Sequence, residues 1–189
     1  MTVKQKKRGR PASHAEQLSQ QAIITKAKSL MLSSGKMPSI RALASALSVD
    51  AMAIYYYFKN KDALLEAITI SLVNEIYQPN IEDDWQQALM ALSSSYLNLL
   101  QQYSGLLETL LSMQSTGPAE VFVSRFEMIL KPLDLDGALQ TDILCLLVDY
   151  LHGFALASRC NTTPQSLDIA AIKGPLSLIF KAIEPLKSF

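Results

Sequence analysis

Two cations in this chain stand where a helix would favour an anion. Lys61 follows Asn60, a good N-cap residue, at the start of one expected helix. Arg41 falls two residues after Ser39, in the first turn of another. A cation at a helix N-terminus opposes the helix dipole and costs on the order of 0.3–1 kcal/mol. Beside a phosphate, both the cation and the unpaired helix-end amides become attractive, so the pattern reads as anion binding. The plainer account of Lys61 is neutralisation by Asp62 next door. Between the two cations lies Ala51-Met52-Ala53-Ile54-Tyr55-Tyr56-Tyr57. Three adjacent phenol hydroxyls each need a partner, and phosphate oxygens would supply some. Alternatively Tyr57 packs inward and only Tyr55 and Tyr56 face out. Ala51, Met52 and Ala53 are small or apolar, suited to contacts such as thymine methyls rather than bidentate hydrogen bonds.

These residues need short helices at defined angles. A helix over residues 15–34 is expected from the stripe Ile23, Ile24, Ala27, Leu30 and Met31. Gly35 ends it in a left-handed conformation and Pro38 blocks continuation. Ser39 caps a second helix with Ile40, Leu43, Ala44 and Leu47 inward. Ser48-Val49-Asp50 is the turn, with Asp50 capping a third helix over residues 51–57 that Ile54 and Phe58 anchor. A fourth runs over residues 61–77. This is the layout of a helix-turn-helix, which sets one helix into the DNA major groove.

Residues 8–70 resemble the DNA-binding domain of the TetR family of bacterial regulators. The resemblance is carried by Ser39, Arg41, Leu43, Ala44, Leu47, Val49, Ala53, Ile54, Tyr55, Tyr57, Phe58, Lys61, Asp62, Leu64 and Leu65. Ser48 departs from the pattern, which has glycine in the turn; serine there is strained if the turn needs a positive φ. The resemblance implies phosphate contacts from Arg41 and Lys61, with Ser39 beside them at the helix cap. It implies phosphate or base contacts from Tyr55 and Tyr56, and base edges facing Ala51, Met52 and Ala53. The Arg8-Gly9-Arg10-Pro11 segment is also similar to many N-termini of the family. It implies a homodimer on a near-palindromic double-stranded DNA operator, held together by a four-helix bundle from the last two long helices of each subunit. It further implies a small effector in the C-terminal domain that changes the spacing of the two DNA-binding heads.

The charge pattern agrees. Lys and Arg total 17, as do Asp and Glu, but residues 1–61 hold eleven cations against two anions, and residues 62–189 six against fifteen. One half is built for a polyanion and the other is not. Residues 1–13 carry five positive charges and none negative, which predicts a disordered basic arm. Arg8 and Arg10 there could reach phosphates or a minor groove, or serve only as a solubilising tail.

The remainder reads as helix after helix, with no alternating strand pattern, so the fold class is all-α. Four segments are expected: the arm 1–13, the helix-turn-helix domain 14–60, a connecting helix 61–77, and a ligand-binding and dimerisation domain 78–189. Helices are expected over 84–103, 106–113, 119–130, 139–159 and 165–187, the last kinked or interrupted at Pro175. The helix over 139–159 is apolar on more than one face, consistent with burial against a second subunit. Candidate lining residues for an apolar or aromatic effector are Tyr96, Tyr103, Met113, Phe122, Phe126, His152 and Phe154. Most of these suit an ordinary core equally well. For His152, a core histidine paired with Asp149 is the favoured account.

With 49% hydrophobic residues the chain can bury a core. Cys145 and Cys160 make no disulfide framework. The two histidines lie far apart and no ligand spacing suits a metal. There is no glycine-rich phosphate loop and no nucleophile elbow, so neither a cofactor nor catalysis is expected. The longest apolar run, Ile143 to Val148, is too short to cross a bilayer, and a cytoplasmic location is expected. The best reading is a ligand-responsive DNA-binding repressor. The alternative is an architectural or nucleoid-associated DNA-binding protein on the same fold, without an effector.

Overall fold

Serine, aspartate and asparagine side chains open most of the early helices, and each does so with a measurable bond. In the computed structural model, which describes residues 18–160 and 168–184, Ser19 Oγ accepts from Ala22 N at 3.1 Å to start α1 (Gln20–Ser34). Ser39 Oγ accepts from Ala42 N at 3.2 Å to start α2 (Ile40–Leu47). Asp50 accepts from Met52 N at 2.7 Å to start α3 (Ala51–Tyr55). Asn60 accepts from Ala63 N at 2.7 Å to start α4 (Lys61–Val73). Each such cap satisfies one orphan amide and contributes about 1 kcal/mol. The helices continue as α5 (Trp85–Gln102), α6 (Leu106–Ser112), α7 (Gly117–Leu130), α8 (Gly137–Cys160) and α9 (Lys173–Ile183). Short 3-10 turns cover Lys131–Leu133 and Ile169–Ile172. Among the described residues the architecture is all-helical. The basic arm, with Arg8 and Arg10, lies outside them.

The α1–α4 group is wedged together by Ile23, Ala27 and Met31 of α1, Leu43 of α2, Ile54 of α3 and Ile68 of α4, all buried. Gly35 closes α1 at φ 66°, and its N–H bonds Met31 O at 2.8 Å. Ser48 closes α2 at φ 56°, a left-handed conformation that costs a non-glycine residue about 1 kcal/mol. The turn therefore does need the positive φ that glycine would supply without strain.

Helix α4 belongs to both halves. It packs on α1 and, most extensively, on α7. Buried residues from Ile23 to Ile183 form one continuous hydrophobic core.

Several expected boundaries change. Leu18 and Ser19 are not helical, so the first helix opens after Ser19 rather than near residue 15. Helix α3 stops at Tyr55, two residues early, because Tyr57 turns away to bond Leu18. Helix α4 ends at Val73 instead of running to Tyr77, because Arg125 of α7 gathers the carbonyls of Asn74 and Ile76. Pro175 does not fall in the middle of the final helix. The helix starts at Lys173, which puts Pro175 in the first turn, where a missing N–H costs nothing. Helix α8 spans 24 residues and is long and apolar enough to cross a membrane by length and composition. The short run Ile143–Val148 understates it. Ile143, Leu147, Leu151, Phe154 and Ala155 of α8 are buried, and the helix packs on α5 and α7.

Candidate nucleic-acid interface and an interior cavity

Helix α3 turns only a little of itself inward. Ile54 is fully buried and Phe58 nearly so, while Met52 is 70% exposed, Tyr56 86% and Tyr55 40%. Ala51 and Ala53 are half-buried, and Ala51 packs against the core, which leaves Ala51 less free than expected of a base-facing residue. Tyr57 is held inward: its hydroxyl donates to Leu18 O at 2.6 Å and its own carbonyl accepts from Gln20 Nε2 at 3.0 Å. Tyr56 stands edge-on to that fixed ring, with centroids 5.3 Å apart. A rigid partner beneath it limits the conformations of an otherwise free side chain.

Arg41 and Lys61 are exposed at the first turns of α2 and α4, and neither joins an ion pair among the described residues. Asp62 therefore does not tie down Lys61. Ser39 is exposed too. Its oxygen is used in capping, but its hydroxyl proton remains free to donate. Lys59, exposed immediately before Asn60, was not anticipated. Its signal was the Lys-Asn-Lys spacing around the cap.

The second feature is a cavity that opens to solvent at a rim of exposed Leu111, Ala119, Cys145 and Asp149. Its volume is about 350 Å3, and it lies between α5, α6, α7 and α8, with Val73 of α4 at one wall. Four of the seven expected residues line it: Tyr96, Met113, Phe122 and His152. Tyr103, Phe126 and Phe154 do not; they are buried elsewhere in the core, Tyr103 two turns beyond Tyr96, Phe126 one turn beyond Phe122, and Phe154 on another side of α8 from His152. The Tyr96 and Phe122 rings are 5.0 Å apart. Tyr96 Oη and His152 Nε2 form a hydrogen bond of 2.8 Å. The partner of His152 is thus Tyr96 of α5, not Asp149 one turn away on α8. Burial pushes the His152 pKa below its ordinary 6.5, against a smaller upward push from Asp149. Burial also pushes the Tyr96 phenol up. Both groups stay neutral at pH 7. Leu110, Cys145, Val148 and Asp149 also line the cavity and were not foreseen. The i, i+3, i+7 spacing of Cys145, Val148 and His152 was their only signal.

Three contacts tie this cavity region to α4. Arg125, only 6% exposed, donates from Nη1 to Ile76 O at 2.7 Å and from Nη2 to Asn74 O at 3.0 Å. Its desolvation pulls its pKa down, which marks the cost of burying it. Ser115, at the cavity wall, donates to the Glu66 carboxylate of α4. Gly117 lies so close to α4 that a Cβ there would stand 3.0 Å from Ile70 Cδ1 and from Glu66 Oε1. Arg125 was missed in the sequence. Its place among Phe122, Phe126 and Ile129, all on one buried face, was the available sign.

No cluster of three or more His, Cys, Asp or Glu side chains suited to a metal occurs among the described residues.

Residues 36–68 match the family model described as bacterial regulatory proteins, tetR family. The tetracycline repressor protein class A from transposon 1721 of Escherichia coli is 35% identical over 66 residues, 33% of this chain and 31% of the repressor. The match thus spans about a third of that relative's length. Among solved structures, the Streptomyces coelicolor TetR family protein ActR in complex with actinorhodin superposes with a TM-score of 0.74 at 18% identity, covering 92% of this chain and 100% of that one. BioQ with its double-stranded DNA operator gives 0.71 at 17% identity, covering 88% and 98%. At such identities the likeness speaks for the fold.

Proposed function

We propose that the chain, whose helix-turn-helix segment matches the tetR family of bacterial regulatory proteins, is a transcriptional regulator that binds a near-palindromic operator as a homodimer and releases it when a small apolar or aromatic effector fills the cavity. The observation that carries the reading is the outer face of α3, where Met52, Tyr55 and Tyr56 stand in solvent on a helix anchored by Ile54. On this reading Met52 and Ala53 read base edges by apolar contact, and Tyr55 and Tyr56 meet phosphate or base. Arg41, Lys61 and Lys59 bind phosphates and set the register, with the Ser39 hydroxyl adding a donor. The arm carrying Arg8 and Arg10 adds to the phosphate contacts.

The exposed leucines Leu146 and Leu156 of α8 and Leu178 of α9 form the dimer contact in this reading. Too much apolar surface stands on these two helices for one stripe facing inward. The organisation is then a DNA-binding unit, the connecting helix α4, and a sensing and dimerising unit.

Coupling runs through α4. An effector pressing on Met113, Ser115 and Phe122 displaces the start of α7, and α7 holds α4 through Arg125 and through Ser115 and Glu66. Because α4 begins at Lys61, a tilt of its axis moves the phosphate contacts of each subunit. The coupling is reciprocal, so operator DNA weakens effector binding by the same factor.

The test is selection of sites from a random double-stranded DNA pool at near-physiological salt. The expected product is one near-palindromic consensus. Recovery of bound DNA without a consensus would replace the regulator with an architectural protein that reads backbone alone.

A further inference from the structure

The cavity walls are hydrocarbon and aromatic, apart from a few polar groups whose states can be counted. The Tyr96 hydroxyl and His152 Nε2 are occupied with each other, and Ser115 is occupied with Glu66. Of the residues lining the cavity, Asp149 carries the one carboxylate, and none is Lys or Arg. Asp149 has no hydrogen bond or ion pair among the described residues; the ion pairs found there are Lys28–Glu75 and Glu108–Arg159. His152 does not offset it, because burial keeps the imidazole neutral at pH 7.

We propose that the cavity takes an aromatic cation, a hydrophobic ammonium compound whose charge sits at the Asp149 carboxylate and whose ring lies against Tyr96 and Phe122. This rests on reading the cavity as the effector site. Asp149 is exposed at the cavity rim; a ligand that covers it strips water from its charge, and a cation offsets that loss more fully than a neutral hydrogen-bond donor does. A neutral ligand leaves the carboxylate desolvated and unpaired, and an anionic one adds repulsion. The surplus of nine negative charges over residues 62–189 acts in the same direction at long range.

The experiment is isothermal titration of the full-length protein with three matched probes: naphthylmethyl-trimethylammonium, naphthalenemethanol and naphthylacetate. The ammonium probe should bind about tenfold or more tighter than the alcohol, and the acetate weakest. Asp149→Asn should remove that preference, reducing ammonium affinity to that of the alcohol and leaving alcohol affinity unchanged. Asp142→Asn, two turns earlier on the same helix and outside the cavity, should leave all three affinities as they were. Equal binding of the three probes, or an ammonium preference that survives Asp149→Asn, would overturn the charge assignment while leaving the cavity as a binding site. Failure of every probe to bind would overturn the cavity reading itself.

Discussion

The outer face of α3 and the interior cavity use the same side chains to opposite ends. Each has tyrosine and methionine: Tyr55, Tyr56 and Met52 outside, Tyr96 and Met113 inside. In solvent, Tyr56 has no partner among the described residues except a neighbouring ring, so its hydroxyl is available to whatever docks. In the core, Tyr96 must satisfy its hydroxyl at once, and does so on His152. A surface site thus keeps its polar capacity unspent, whereas an interior site has used most of its own before any ligand arrives. What remains unspent at the cavity rim, the exposed Asp149 carboxylate, is what can discriminate between ligands.

Substitutions should separate the two regions. The largest effect is expected at Arg125→Ala, which leaves the carbonyls of Asn74 and Ile76 unpaired and opens the α4–α7 contact. It should cost about 3 kcal/mol in urea unfolding; a loss under about 1 kcal/mol would mean that water replaces the guanidinium freely. Tyr56→Ala should leave stability within about 0.5 kcal/mol and weaken operator binding by about 2 kcal/mol. Equal losses in folding and binding would erase the distinction between the regions. Lys61→Ala should reduce the slope of log affinity against log salt by about 1, uniformly across DNA sequences; an unchanged slope would remove Lys61 from the phosphate contacts.

Tyr96→Phe should do the reverse of Tyr56→Ala, costing about 1 kcal/mol of stability and leaving DNA affinity without effector unchanged. The same pair predicts a pH effect. His152 has a folded pKa below its ordinary 6.5, so below that pH the unfolded chain binds the extra proton first. Its stabilising contribution is complete above pH 6.5 and is lost as pH falls toward the folded pKa. The acid slope of stability between pH 6.5 and 5 should therefore flatten in His152→Gln, and an identical slope would show that His152 does not titrate there. The smallest effect is expected at Ser48→Gly, a gain of about 0.5–1 kcal/mol from relief at φ 56°, measured by the shift in unfolding midpoint.

Legibility followed the range of the interactions. The caps at Ser39, Asp50 and Asn60 and the stop at Gly35 were readable, because each depends on residues within a few positions, whereas the inward turn of Tyr57 was one of two readings left open. The ends of α3 and α4 were not readable. Both are set by partners 39 to 52 residues away, Leu18 for Tyr57 and Arg125 for Asn74, Ile76 and Val73. Pro175 was read only in part: a proline signals a break in a helix or its first turn equally well, and the break falls at Lys173, just before it, with a 3-10 turn on the other side.

The cavity divides in the same way. The residue types suited to it, aromatic, soft and weakly polar, could be picked out in the sequence. Which of them face it depended on how far along each helix the cavity lies and, for α8, on the rotation of the helix. Tyr96 and Phe122 reach it, while Tyr103 and Phe126, on the same faces but one or two turns further on, end in solid packing. By itself the sequence determined the helix-turn-helix, its exposed tyrosines and its excess of positive charge, because local hydrogen bonds and near-neighbour burial decide them. Only the tertiary structure decided the bond between His152 and Tyr96, the burial of Arg125 against the end of α4, and the exposure of Asp149 to an apolar cavity. These depend on helices distant in sequence meeting at fixed angles, and no local free energy sets those angles.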